Sequence, residues 1–221
     1  MPIILRISEI GQSMLDMDSL RPIRGHPGVG MEERFMRRFP RLGARLYDFQ
    51  ARFTLGSMYR DVAKEIAGYI DSGAVLDVGT GPGFLPLELA RVSNNLVVTG
   101  IDLSQGMIEL ARRKARKECM ESKVAFLLGD ATALPVPYDS FDMVVTTLSV
   151  HHWSDQRKGI MELHRVMKPG GVTWVYDMYS DGILQAFEEL IGLSPFKEYE
   201  MSRVKYSKWG PGDGLLKIEL R

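Results

Sequence analysis

The chain has 221 residues, 45% hydrophobic and 25% charged, which is material for one domain with a sizeable core. Its 28 basic and 28 acidic residues cancel, so nothing global attracts nucleic acid or an acidic membrane surface. A single cysteine, Cys119, excludes an internal disulfide framework and a cysteine-built zinc site.

The opening Met1-Pro-Ile-Ile-Leu-Arg6 is too short an apolar run for a signal peptide, and acidic Glu9 follows it. No stretch approaches the roughly 20 apolar residues of a membrane span, so the expected address is the cytoplasm. Residues 1–55 show no strand–helix rhythm and are read as an N-terminal helical cap and substrate segment, ahead of a domain over 56–221. Within that cap, Arg34, Arg37, Arg38, Arg41 and Arg45 form a basic cluster. A solvated helix face explains it, and so does an anion contact, but no interleaved aromatics suggest base stacking. Tyr47 and Tyr59 are candidate lid residues, with packing as the plainer reading.

Tyr59, Val62, Ala63, Ile66, Ala67 and Ile70 recur at three- and four-residue spacing, which predicts a helix over Met58–Ile70. From Ala74 onward, strands and helices alternate. The expected strands are Ala74–Val78, Leu96–Ile101, Val124–Leu128, Asp142–Thr147 and Val172–Tyr176, with helices near 84–93, 105–119 and 155–167. The strands are apolar almost throughout, as in sheets covered on both faces. A helix over Asp181–Leu193 follows. Then come two strands, Ser202–Trp209 and Leu215–Leu220, joined by Gly210-Pro-Gly-Asp-Gly214 as an antiparallel hairpin. The expected fold is therefore α/β: a doubly wound, mostly parallel, Rossmann-like sheet with a C-terminal antiparallel hairpin. Ligands in such sheets bind beyond the carboxyl ends of the strands.

Chemistry-bearing residues fall at those ends. Asp77 precedes the turn Gly79-Thr-Gly-Pro-Gly83, Asp102 ends the second strand, and Asp130 follows the third. A glycine turn opening a helix aims unpaired amides at a ligand. An acid at the second strand tip can accept both hydroxyls of a ribose. The G-x-G-x-x-G dinucleotide pattern would put a third glycine where Phe84 stands, and Asp77 would repel a pyrophosphate. A ligand with a cationic end suits this turn better.

Val75–Gly83 resembles motif I of the class I S-adenosylmethionine-dependent methyltransferases. Asp102–Ala111, Gly129–Val145 and Glu162–Gly171 are similar to their later blocks, the last to the ubiquinone/menaquinone-type group. The likeness implies S-adenosylmethionine as cofactor and S-adenosylhomocysteine as product. It implies that Asp77 and Gly79 contact the methionine amino and carboxylate end and that Gly81 lets the backbone approach the cofactor, with Thr80 and Gly83 in the same cofactor-binding turn. Asp102 would hold the ribose, Leu103 and Met107 the adenine face, Asp130 and Ala131 the adenine edge. Thr147 and Leu148 would lie near the sulfonium.

His151, directly after the fourth strand of the alternating series, is the candidate general base, with His152 beside it. Asp177, Met178 and Tyr179 are candidate pocket walls. Thr146-Thr-Leu-Ser-Val is not the Asn/Asp-Pro-Pro-Tyr pattern of amide or adenine methylation, and one cysteine argues against arsenite methylation. The expected acceptor is a small molecule with an oxygen, carbon or nitrogen nucleophile, with no metal. An RNA or protein methyltransferase, and a non-catalytic cofactor-binding protein on the same fold, stay as alternatives. Monomer and homodimer are both open.

Overall fold

The computed structural model describes residues 3–6, 55–206 and 214–221. The arginine cluster, Tyr47 and the part of the expected turn from Gly210 to Asp213 lie outside them. The strands are β1 (Ile3–Arg6), β2 (Gly73–Val78), β3 (Leu96–Asp102), β4 (Val124–Leu128), β5 (Phe141–Thr147), β6 (Met167–Met178), β7 (Glu198–Val204) and β8 (Leu215–Leu220). The helices are α1 (Gly56–Tyr69), α2 (Phe84–Val92), α3 (Gln105–Lys117), α4 (Gln156–Val166) and α5 (Asp181–Gly192). A 3-10 turn covers Val150–His152. No helix among the described residues is long and apolar enough to cross a membrane.

One eight-stranded sheet results, in the order β1-β7-β8-β6-β5-β2-β3-β4. β2 pairs in parallel with both β3 and β5, so the chain winds outward in both directions from β2. The gap between β2 and β5 is the switch point where open α/β sheets bind ligands. β8 lies antiparallel between β6 and β7, which is the expected C-terminal antiparallel pair.

Period-two alternation divides the core. Val75 packs with Met58, Val62 and Ile66 of α1, Leu85 and Leu89 of α2 and Ile108 of α3. Its neighbour Leu76 packs on the other face with Ile160 and Leu163 of α4 and Phe187 of α5. Three helices start on a side-chain cap: Ser104 accepts from Met107 N–H, Asp155 from Lys158 N–H and Ser180 from Ile183 N–H. α2 instead starts on Gly83, whose φ of 78° turns the chain out of β2.

Beyond shifts of one or two residues at element ends, three features differ from expectation. β6 begins at Met167, not Val172, because Met167 already pairs with Phe141 across an irregular stretch in the ladder. β7 covers Glu198–Val204, not Ser202–Trp209, because Tyr199 pairs with Leu220 and Val204 with Leu215. Ile3–Arg6, within the segment expected to be helical, pairs antiparallel with Glu198–Met201 and extends the sheet edge. Four apolar-rich residues carry no period that would have revealed this.

Candidate functional site

A cleft of about 340 Å³ opens at the switch point, over the carboxyl ends of β2, β3, β4 and β5. Its floor is Val78, Gly79, Thr80 and Gly81, where β2 turns toward α2. Gly79, Gly81 and Gly83 have φ of 75°, 53° and 78°, a region that favours glycine. At Gly79 a β-carbon would also stand 1.8 Å from Ser149 Oγ and 2.5 Å from its Cβ. The turn is thereby pressed against the segment following β5. Gly83 serves as the helix cap and does not line the cleft.

Asp77 is 2% exposed and lies just beneath the floor. Thr80 Oγ1 donates to its Oδ2 at 2.6 Å, and Thr80 itself faces the cleft. Burial pushes the Asp77 carboxyl up to about 7; the Thr80 bond opposes this and nearby Asp102 adds to it. Asp102 lines the cleft, and its two oxygens accept the Gly81 and Ser104 amides at 2.8 Å each. Burial raises its pKa while those two amides pull it down. An ionised carboxylate has about four lone-pair directions, so both oxygens keep capacity toward a ligand. Asp102 therefore fastens the glycine turn while facing the cleft.

Leu103 and Met107 line the same side, Leu103 70% exposed and Met107 buried at the start of α3. Asp130 and Ala131 form the next wall. Thr132 donates both its amide and its hydroxyl to Asp130 Oδ1, at 2.8 and 2.9 Å. Oδ2 of Asp130 has no protein partner among the described residues. Thr147 and Leu148 complete the lining after β5. Leu148 has φ 53° and donates its amide to Tyr176 O at 2.7 Å, so the chain kinks at the β5 tip. Thr147 Oγ1 is buried without a hydrogen-bond partner among the described residues, an acceptor and donor left over at the cleft wall.

The two histidines part company. The His151 side chain is 4% exposed, and its Nδ1 meets Asp177 Oδ1 at 2.7 Å. It does not line the cleft, whereas His152, Trp153 and Ser154 do. The rings of His151 and His152 lie 4.0 Å apart. Asp177 is fully buried; Met178 N–H also donates to its Oδ1, and its Oδ2 has no hydrogen-bond partner among the described residues. Met178 and Tyr179 are absent from the lining, and Tyr59 is present, stacked 5.5 Å from the Phe84 ring. Sequence reasoning did not single out Ser149, Trp153 and Ser154. Their place just after a strand tip was the signal that could have found them.

Comparison with known proteins bears on this geometry. Residues 75–171 match the family described as Methyltransferase domain. The chain is 33% identical over 129 residues to the ubiquinone/menaquinone biosynthesis C-methyltransferase UbiE of Geobacter sulfurreducens, covering 57% of this chain and 50% of that protein. It is 33% identical over 163 residues to chloroplastic 2-methyl-6-phytyl-1,4-hydroquinone methyltransferase 1 of Oryza sativa, covering 69% of this chain and 48% of that one. The chain thus spans about half the length of these relatives. A Methanococcus maripaludis structure, described as a candidate S-adenosyl-L-methionine-dependent methyltransferase, superposes with a TM-score of 0.70 at 22% identity. That match covers 81% of this chain and 92% of the other.

Proposed function

Since the chain belongs to the class I S-adenosylmethionine-dependent methyltransferases through its domain at residues 75–171, we propose that it methylates a small acceptor of hydroquinone type. The observation that carries the cofactor part of this reading is the convergence of three carboxylates, Asp77, Asp102 and Asp130, around one glycine turn at the switch point, while the acceptor class follows the quinone methyltransferases among the relatives.

The cleft fits the cofactor. At Gly81 a β-carbon would meet nothing within 4 Å, so a ligand can approach the backbone there, whereas at Gly79 the same space is already filled by Ser149. Asp102 faces the cleft at the tip of β3, where it accepts ribose hydroxyls. Asp130, with one oxygen uncommitted, accepts from the adenine amino group. Asp77, reached through Thr80, complements the cationic amino end. Leu103 and Met107 cover the adenine face. When bound, S-adenosylmethionine would supply the methyl group from its sulfonium. The protein contributes position and exclusion of water.

A hydroquinone acceptor must lose a proton as it gains the methyl group. An ionised Asp177 can only accept, so it holds the His151 proton on Nδ1 and leaves the Nε2 lone pair as base. His151 does not reach the cleft, so in this reading the His151–Asp177 pair would act through His152, whose ring lies 4.0 Å away and which lines the cleft.

Calorimetric titration with S-adenosylhomocysteine, followed by transfer of labelled methyl to a hydroquinone panel, tests the proposal. Micromolar binding and labelled product are expected. Absence of binding at millimolar ligand overturns the cofactor assignment; binding without transfer to any hydroquinone overturns the acceptor class. Asp102→Ala is expected to weaken binding by about 100-fold or more, because it removes the ribose acceptor and unhooks Gly81.

A further inference from the structure

Three residues of α4 stand at intervals of three along one side of the helix, and none of them lines the cleft: Gly159, Glu162 and Arg165. Glu162 and Arg165 form a two-pronged ion pair, Nε to Oε1 at 2.7 Å and Nη2 to Oε2 at 2.8 Å. Both side chains are largely buried. Their other groups go to the segment after β4. Glu162 Oε2 accepts the Leu134 amide at 2.7 Å, and Arg165 donates to Leu134 O and Val136 O at 3.0 Å each. The backbone of Arg165 and Val166 then accepts the amides of Asp139 and Ser140. The loop that carries Asp130 and Ala131 is therefore fastened to α4.

Gly159 fastens a second wall. The Trp153 ring lies so close that a β-carbon at 159 would be 2.2 and 2.6 Å from two of its carbons. The same indole donates to Ser149 Oγ at 2.9 Å, and Trp153 and Ser149 both line the cleft.

We propose that α4 is a clamp that sets the Asp130–Ala131 wall, which would meet the base, at a fixed distance from the Trp153 wall of the same cleft, with Gly159, Glu162 and Arg165 as positioning residues for base recognition. The base itself rests on the cofactor reading above. The fastening of the loop does not, and it can be measured without ligand.

Two measurements on Glu162→Gln, Arg165→Met and Gly159→Ala test this. The first is amide hydrogen exchange of residues 130–136 in the ligand-free protein. Exchange is expected to quicken at least about tenfold in the Glu162 and Arg165 variants, with β2 and β3 unchanged. Wild-type exchange rates in folded Glu162→Gln overturn the clamp. The second is the affinity ratio between S-adenosylhomocysteine and its inosyl analogue, in which the base amino group is replaced by a carbonyl. The wild-type preference for adenine is expected to fall at least about fivefold in all three variants, with kcat at saturating cofactor within about threefold. An unchanged ratio, beside weakened binding of both ligands, overturns the role in base recognition and leaves only a structural one. If the wild type binds neither ligand, the cofactor reading fails, while the exchange result still decides whether α4 holds the loop.

Discussion

The side chains of His151 and Asp177 meet at 2.7 Å inside the protein, one from the turn after β5 and the other from the end of β6. The strands are neighbours, with Thr147 opposite Tyr176, so the ladder register brings the two residues together. His151→Ala is expected to lower kcat for methyl transfer by about 100-fold or more, and Asp177→Asn by about tenfold or more. S-adenosylhomocysteine affinity should stay within about twofold in both. A lowered melting temperature with unchanged kcat in the folded fraction would assign the pair to structure alone.

Asp77 makes stability and binding depend on pH in opposite ways. Its folded pKa, about 7, lies above its ordinary value of 3.8, so the protonated form is favoured by folding. The contribution is fully present below pH 3.8 and is lost as pH rises through 7. Asp77→Asn removes this penalty, so the ligand-free variant should gain stability at pH 8 relative to wild type, by up to about 4 kcal/mol. Urea unfolding at pH 5 and pH 8 measures the difference. A cationic ligand end favours the ionised carboxyl, so binding at pH 6 should release close to one proton. Titrations in two buffers of different ionisation enthalpy read that number, and a value near zero removes Asp77 from the cation contact.

Gly79 and Gly81 share a positive φ but not the same surroundings. A β-carbon on Gly79 drives into Ser149, whose hydroxyl is already held by Trp153, whereas one on Gly81 meets nothing within 4 Å. Gly81→Ala should therefore cost only the backbone strain, about 1–2 kcal/mol. Gly79→Ala should cost more than that and also weaken S-adenosylhomocysteine binding by at least about tenfold. Paired unfolding and binding curves test the ranking; equal losses would contradict it.

Away from the cleft, Glu65 of α1 gathers three donors. Lys217 Nζ reaches Oε1 at 2.6 Å, and the hydroxyls of Tyr176 and Tyr206 donate to Oε2 at 3.2 and 2.7 Å. Burial, and the neighbouring Glu65 charge, push both tyrosines well above their ordinary range. Lys217 is 6% exposed, lies over Trp174 at 3.6 Å and retains Glu219 as a second partner. Glu65→Ala should destabilise by about 2–4 kcal/mol, because the hydroxyls of buried Tyr176 and half-buried Tyr206 and part of an ammonium lose their acceptor. Lys217→Met should cost less, since it keeps the contact with Trp174 and removes the buried charge. Denaturant midpoints of the two variants check the order.

Much of the cleft is legible along the chain because its residues follow strands. Asp77, Asp102 and Asp130 each stand at a strand tip, and a strand tip is recognisable from a short apolar run meeting glycine or acid. The five parallel strands are legible for the same reason: both faces are covered, so the apolar runs are nearly unbroken. β1 and the start of β7 are not. Their pairing depends on partners almost two hundred residues away in one case, and on a slipped hairpin register in the other. Nothing local encodes either.

Local pattern and spacing are enough to dictate the glycine turn, the three acids and the order of strands around them. Which side chains face the cleft was settled only in three dimensions. Folding placed Asp77 beneath the floor behind Thr80, turned His151 inward onto Asp177, set His152 and Trp153 on the wall, and tied Asp102 to the turn it adjoins. Those choices come from packing across the sheet, where a ladder register and a helix on the far face fix the direction of each side chain.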